Sequence, residues 1–128
     1  MPTVLVIDDE ALVRDLLGRI LMKAGLTVFT AEDGRRGVEI FDQKNPDVVI
    51  TDIIMPEMGG VQAIRELRQR RPDVPIIAMS GGGRLGNMDV LTAASAFGAN
   101  AALRKPFSRD ELLRAVHSAI GECTGASA

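Results

Sequence analysis

The amino-acid sequence predicts an α/β fold in which five parallel strands form one sheet covered by five helices. Three observations support this prediction. Short apolar runs rich in β-branched residues recur along the chain without polar alternation, as expected of strands buried on both faces. Segments with apolar residues at helical spacing separate these runs, and glycine, proline or asparagine stands at most of the boundaries. Strand and helix therefore alternate, which is typical of a parallel sheet with crossover helices.

Composition limits the classes of function. The chain has 128 residues, and we expect one domain over 1–121 followed by a flexible tail over 122–128. A net charge of −2 without Trp or Tyr argues against a nucleic-acid surface, which is usually basic. The single cysteine, Cys123, excludes an internal disulfide and suits a reducing compartment. No leader opens the chain and no apolar run approaches membrane-spanning length, so we expect a cytoplasmic protein without membrane contact.

The first part of the chain is predicted to run strand, helix, strand, helix. The first strand, Thr3 to Asp8, precedes a helix that stops at Gly25, and Leu26 to Thr30 is the second strand. Asp33 is placed to cap the second helix, which Asn45-Pro46 closes. The apolar positions of the first helix are Leu12, Val13, Leu16, Leu17, Ile20 and Met22.

The third strand, Asp47 to Asp52, ends in a carboxylate, and prolines and glycines then turn the chain. The third helix follows Gly59-Gly60 and ends before Pro72. Its apolar residues Val61, Ile64 and Leu67 are predicted to face inward. Its arginines are predicted to form a solvated outer face, and they are Arg65, Arg68, Arg70 and Arg71.

The last part of the chain contains two further strands and two helices. The predicted elements are a strand from Pro75 to Ser80, a glycine-rich loop over 81–86, a helix over 88–97 and a strand from Asn100 to Arg104. Ser108 and Glu111 have the spacing of a capping box for the final helix, which we expect to end at Gly121.

Polar side chains stand at the carboxyl ends of four predicted strands, namely Asp8 and Asp9, Asp52, Ser80 and Lys105. Open α/β sheets build their sites at this edge. Carboxylates pressed together repel one another, and a hard cation with oxygen ligands, Mg²⁺, relieves that repulsion. Lys105 and Ser80 suit phosphoryl oxygens, and Asp52 can attack phosphorus to form an acyl phosphate. The pattern predicts a Mg²⁺-dependent phosphoryl-transfer site.

The motifs together resemble the receiver domain of two-component response regulators. They are Asp8-Asp9, Asp52 with the Ile53-Ile54-Met55-Pro56 that follows, Met79-Ser80-Gly81 and Leu103-Arg104-Lys105-Pro106-Phe107. The match extends from about Thr3 to Ile120. The resemblance implies a flavodoxin-like, doubly wound sheet in the order 2-1-3-4-5.

The same resemblance implies roles for individual residues. Asp52 would be the phosphoacceptor, and Mg²⁺ would be held by Asp8, Asp9, Asp52 and the backbone carbonyl of Ile54. Ser80 would be the switch hydroxyl and Lys105 the cation that pairs with the phosphoryl group. The Lys105-Pro106 bond would be cis, an isomer that the X-Pro linkage tolerates.

The implied partners are those of a signalling domain. A histidine kinase, a histidine phosphotransfer protein or a small phosphodonor would supply the phosphoryl group. The chain would then act on a downstream protein, or on its own output domain if it is part of a longer regulator. Its enzymatic activity would not extend beyond its own phosphorylation and dephosphorylation.

One position departs from the family pattern. Receiver domains usually couple the switch hydroxyl to an aromatic residue in the fifth strand, and Ala102 stands there. We therefore expect output to depend on backbone movement of the 81–86 loop and the following helix. The small residues of the 88–97 helix beside Ala102 suit a weak homodimer or docking face, or simply a solvated helix.

Two other classes of function remain open. A receiver-like module that signals without phosphate is favoured by Ala102 but opposed by the intact set of polar residues. A phosphatase of the aspartyl-phosphate type would have Asp-x-Asp after the first strand, where this chain has Asp8-Asp9-Glu10. A flavin-binding protein is less favoured, because aromatic residues that could cover the ring are few.

Overall fold

The computed structural model describes residues 2–52, 60–80, 99–104 and 107–124. The strands are β1 (Thr3–Ile7), β2 (Thr27–Ala31), β3 (Val48–Asp52), β4 (Ile76–Ser80) and β5 (Ala101–Arg104). The helices within these ranges are α1 (Ala11–Lys23), α2 (Gly34–Lys44), α3 (Gly60–Arg70) and α4 (Arg109–Thr124). The loop and helix predicted over 81–86 and 88–97 lie outside the described residues. Among the described helices, none has the length and apolar character that crossing a membrane requires.

The strands form one parallel sheet in the order β2-β1-β3-β4-β5, which confirms the doubly wound, flavodoxin-like prediction. Alternate residues of β1 serve opposite cores. Val4 and Val6 pack with residues of α1 and α4, whereas Leu5 and Ile7 pack with residues of α2 and α3. Since both faces of the interior strands β1 and β3 are covered, their sequences are nearly unbroken apolar runs, whereas the edge strand β2 is partly exposed. Each predicted strand is confirmed within one residue at either end.

Local sequence signals define most helix ends. Gly25 has a φ of 90° just after α1, a conformation that glycine adopts without steric cost. Asp33 caps α2, because its Oδ1 accepts a hydrogen bond of 2.8 Å from the backbone N–H of Arg36. The capping box is also confirmed, since Ser108 and Glu111 exchange side-chain to backbone hydrogen bonds of 2.9 and 3.0 Å.

The predicted end of the final helix is wrong, because α4 continues past Gly121 to Thr124. A glycine inside a helix costs only about 1 kcal/mol relative to alanine, so it need not stop one. Residues 125–128 lie outside the described part of the chain.

The solvated outer face predicted for the arginines of the third helix is wrong at Arg71, whose guanidinium donates to the Pro46 carbonyl and lies over the Phe41 ring, and at Arg68. The Arg68 guanidinium is partly buried and donates hydrogen bonds to the carbonyls of Pro72 and Val74 and to the side-chain oxygen of Asn100. Asn100 in turn accepts a 2.9 Å bond from the N–H of Ile76, so the cluster ties α3 to the beginnings of β4 and β5. Burial lowers the pKa of Arg68 from its usual value, with Asp73 opposing that shift.

Substitution of alanine at two helical glycines should change the free energy of unfolding in opposite directions. A Cβ at Gly37 in α2 would lie 2.4 and 2.8 Å from side-chain carbons of Ile7, whereas a Cβ at Gly18 in α1 would meet nothing within 4 Å. Because Ile7 is fully buried, Gly37→Ala should lower the free energy of unfolding by about 1–2 kcal/mol, overpacking outweighing the gain in helix propensity. Gly18→Ala should raise it by up to about 1 kcal/mol.

Urea unfolding of both variants and the wild type, followed by far-ultraviolet circular dichroism, measures the two changes. Equal effects of the two substitutions would contradict the close approach of α2 to β1.

Candidate functional site

The pairing of β1 with β3 places the carboxylates at the ends of these two strands close together at one edge of the sheet. Ile7 is paired with Thr51, so Asp8, which follows β1, and Asp52, which ends β3, emerge side by side. Asp9 and Glu10 continue the chain from Asp8. One carboxylate oxygen from each of these four residues lies within 4.8 Å of the others. We call Asp8, Asp9, Glu10 and Asp52 the acidic cluster.

Asp8 is held in place from several directions. Its side chain is fully buried, and its Oδ1 accepts a 2.8 Å hydrogen bond from the backbone N–H of Glu10. Its backbone N–H donates to the carbonyl of Ala31 at 3.1 Å, and its own carbonyl accepts from the Arg14 guanidinium at 2.7 Å. These bonds link the acidic cluster to β2 and α1 and orient its most buried carboxylate.

The acidic cluster has a buried side and an open side. Asp52 is only 7% exposed, whereas Asp9 and Glu10 are exposed. Beside Asp52, the buried hydroxyl of Thr51 donates a 3.1 Å hydrogen bond to the Asp52 carbonyl. Among the described residues, Asp9 and Glu10 therefore form the solvent-exposed side of the cluster.

The acidic cluster fits a hard divalent cation. It offers only oxygen donors, and four neighbouring carboxylates repel one another unless positive charge lies between them. Mg²⁺ favours carboxylate oxygens and retains several waters, so it needs only some of these groups as direct ligands. Glu10 was not assigned to the metal set from sequence, although the uninterrupted acidic run Asp8-Asp9-Glu10 was the signal that could have included it.

Ser80 belongs to the same edge of the sheet. Asp52 is paired with Met79 of β4, and Ser80 is the next residue. Ser80 is in turn paired with Arg104, the last residue of β5, after which Lys105 follows. The backbone order thus brings the ends of β1, β3, β4 and β5 together, as the resemblance to receiver domains implied.

Several assigned residues lie outside the part of the chain that the structure describes. They are Ile54, Lys105 and Pro106, so the predicted ligand, cation and cis bond stay predictions. Ala102 is described, and it lies partly buried in β5 opposite Ala78.

Comparisons with known proteins agree with this geometry. The model of the response regulator receiver domain family matches residues 4–117. The chain is 35% identical over 118 residues to the chemotaxis protein CheY of Bacillus subtilis, covering 91% of this chain and 96% of CheY. It is 39% identical over 117 residues to the DNA-binding transcriptional regulator NtrC of Escherichia coli K12, covering 90% of this chain but only 24% of NtrC.

A crystal structure of a response regulator receiver domain protein from Clostridium thermocellum has the same fold. It superposes with a TM-score of 0.87 at 34% identity, and the match covers 95% of this chain and 96% of that one. The chain therefore corresponds to nearly all of one relative and to about a quarter of another.

The open side of the acidic cluster gives a direct test of cation binding. Asp9→Asn removes one negative oxygen donor without changing the shape of the side chain, so the dissociation constant for Mg²⁺ should rise by about tenfold or more. Isothermal titration with Mg²⁺ measures this constant. Glu39→Gln is the matched control, since it removes an exposed carboxylate of α2 that pairs with Arg36 at the surface. Equal Mg²⁺ affinity in the two variants would contradict a cation site at the cluster.

Proposed function

The chain belongs to the response regulator receiver domain family, and we propose that it accepts a phosphoryl group on Asp52 and signals through the resulting change of charge. Receiver domains are signalling domains that interact with histidine kinases and output domains. The observation that carries the proposal is the convergence of four carboxylates, with buried Asp52 among them, at the carboxyl edge of the sheet. Nucleophilic attack by a carboxylate at such a site forms an acyl phosphate.

In the proposed reaction, an Asp52 carboxylate oxygen attacks the phosphorus of a phosphohistidine or of a small donor such as acetyl phosphate. A phosphorus–oxygen bond to Asp52 forms, and the bond from phosphorus to the donor nitrogen or oxygen breaks. The leaving group retains the electron pair, and an imidazole leaving group takes up a proton as needed. Mg²⁺, when bound, supplies positive charge that offsets the repulsion between the carboxylates and the phosphoryl oxygens.

Residues of the chain would bind the cation, shield the acyl phosphate and pair with the phosphoryl oxygens. Asp8 and Asp9 hold the cation, and the hydrogen bond from Glu10 N–H to Asp8 keeps that carboxylate in one orientation. The burial of Asp52 limits the access of water to the acyl phosphate. We assign the pairing of the phosphoryl oxygens to Lys105 and Ser80, which follow β5 and end β4.

Signal output would arise from a population shift. Phosphorylation adds acceptor oxygens and negative charge that Ser80 and Lys105 can contact, and the state in which they make these contacts becomes more populated. Because Ala102 has no ring to reorient, the movement falls to the 81–86 loop and the 88–97 segment in this proposal. The 88–97 segment and β5 would form the surface for a downstream partner, an output domain or a weak homodimer. We place the protein in the cytoplasm.

Phosphorylation is tested by intact mass after incubation with acetyl phosphate. The wild type with Mg²⁺ should gain the mass of one phosphoryl group, because Asp52 is the only nucleophile assigned to the site. Asp52→Asn with Mg²⁺, and the wild type with a chelator, should gain none. Asp42→Asn removes a carboxylate that pairs with Arg70 at the surface of α2, and it should be phosphorylated like the wild type.

A phosphoryl adduct on Asp52→Asn would contradict the assignment of the acceptor. No adduct on the wild type would favour the alternative, a receiver-like module that signals without phosphate.

The switch is tested by hydrogen–deuterium exchange before and after phosphorylation. Peptides covering 81–98 should exchange more slowly in the phosphorylated wild type, because new contacts with the phosphoryl group order that segment. Ser80→Ala should still be phosphorylated but should lose most of this protection. Peptides from β1 serve as the internal reference, since that strand is buried in the interior of the sheet. Full protection in Ser80→Ala would overturn the role of the hydroxyl.

A further inference from the structure

The side chain of Arg14 connects the first turn of α1 to the end of β1. Its Nη1 donates a 2.7 Å hydrogen bond to the backbone carbonyl of Asp8, the residue that follows β1. Arg14 is the fourth residue of α1, and its own backbone N–H donates to the Glu10 carbonyl at 3.1 Å. The Arg14 side chain therefore spans the turn that joins strand and helix. Three of the four residues of the acidic cluster lie in this turn.

The start of α1 is held without the usual side-chain cap. Glu10 is the N-cap residue, but its side chain makes no capping hydrogen bond. Instead, the Glu10 backbone N–H donates to Asp8 Oδ1 at 2.8 Å, and the Arg14 guanidinium binds the Asp8 carbonyl. A hydrogen bond from a charged donor is stronger than one between neutral groups. The Arg14 bond should therefore constrain the backbone of Asp8, whose side chain is fully buried.

The Arg14 guanidinium contacts the backbone of the turn rather than its carboxylates. Among the described residues, Arg14 forms no ion pair, although the acidic cluster begins at the residue whose carbonyl it binds. Its positive charge therefore does not occupy a carboxylate oxygen that a bound cation would need. An arginine in this arrangement can fix the turn and still leave the carboxylates to a metal ion.

We propose that Arg14 is a positioning residue for cation binding. Its bond to the Asp8 carbonyl holds the turn between β1 and α1 in the conformation in which Asp8 and Asp9 bind Mg²⁺. This inference rests on the proposed function, because it concerns the cation that phosphorylation of Asp52 would require.

Two effects of Arg14 on a bound cation have opposite signs, and this makes the proposal testable. The positive charge of the guanidinium repels a cation bound nearby, so removal of the charge alone would strengthen binding. The hydrogen bond to Asp8 keeps the metal ligands in place, so its loss would weaken binding. Weaker Mg²⁺ binding after removal of Arg14 therefore identifies positioning as the larger effect.

The test compares Mg²⁺ dissociation constants measured by isothermal titration. Arg14→Met should raise the constant by about tenfold, as expected for residues that orient metal ligands. Methionine has nearly the same helix propensity as arginine, so α1 itself should be preserved. Arg19→Met is the matched control, because it removes the same charge from α1 about 7.5 Å further along the helix axis. Arg19 pairs with Asp15 at the exposed surface, so this variant should bind Mg²⁺ within about twofold of the wild type.

Two further measurements separate positioning from a purely structural role. Arg14→Lys retains the charge and an N–H donor, so its dissociation constant should lie between those of the wild type and Arg14→Met. Hydrogen exchange followed by NMR without Mg²⁺ should show the Glu10 amide exchanging about threefold faster in Arg14→Met, because that amide donates to the side chain of a less constrained Asp8. The amides of β3 are the reference for any change in overall stability.

Phosphorylation by acetyl phosphate gives a readout that distinguishes affinity from rate. Arg14→Met should need about tenfold more Mg²⁺ than the wild type for half-maximal formation of the phosphoryl adduct. At saturating Mg²⁺ its rate should match that of the wild type, because the bound cation then holds the turn.

Three outcomes would overturn the inference. They are Mg²⁺ binding by Arg14→Met that is as tight as in the wild type or tighter, equal weakening by the Arg19→Met control, and lower thermal stability of Arg14→Met with an unchanged Mg²⁺ constant. If the wild type binds Mg²⁺ and is phosphorylated on Asp52 while one of these outcomes is found, the proposed function stands and only the role of Arg14 fails. A wild type that neither binds Mg²⁺ nor gains a phosphoryl group would contradict both.

Discussion

The parallel pairing of β1 with β3 is the constraint on which the rest of this structure depends. Both strands lie in the interior of the sheet, and their apolar residues are buried on both faces. Their shared register makes them end together, so that Asp8 and Asp52 meet although they are far apart in the chain. The stability of the apolar sheet thus holds acidic groups close to one another that would separate in a flexible chain. A bound cation would relieve the repulsion among these groups, and for this reason the acidic cluster fits one.

The fold was largely predictable because its signals are local or periodic. Unbroken apolar runs identified the strands, and the caps at Asp33 and Ser108 depend on residues within one helical turn. The prediction from sequence was wrong where the burial of a side chain depends on residues distant in the chain. Arg68 was predicted to be solvated, but carbonyls from the following turn and the Asn100 side chain require a donor there. Helical spacing likewise could not separate buried Leu17 from Leu16, which is 58% exposed, because apolar residues surround much of α1.

The site was predictable to the extent that it follows from the ends of strands. Asp8 and Asp9 follow the apolar run of β1 and Asp52 ends β3, and a parallel sheet brings such ends to one edge. The position of Ser80 between the ends of β3 and β5 could be predicted only from the strand order. That order was inferred from the resemblance to receiver domains rather than from spacing. The closeness of the Glu10 carboxylate to the other three could not be predicted, because it depends on side-chain directions after β1 and on the turn that begins α1. A sequence pattern does not contain that information.

Alternate residues of β1 pack in two different cores, and this restricts where the chain can gain or lose a residue. Val4 and Val6 belong to one core, and Leu5 and Ile7 belong to the other. Insertion or deletion of one residue within β1 would exchange the two sets and also displace Asp8 from its position beside Asp52. A change of length in a connection at the opposite edge of the sheet, such as the turn at Ala24-Gly25 or the segment from Arg71 to Pro75, would leave this register and the place of Asp8 beside Asp52 unchanged.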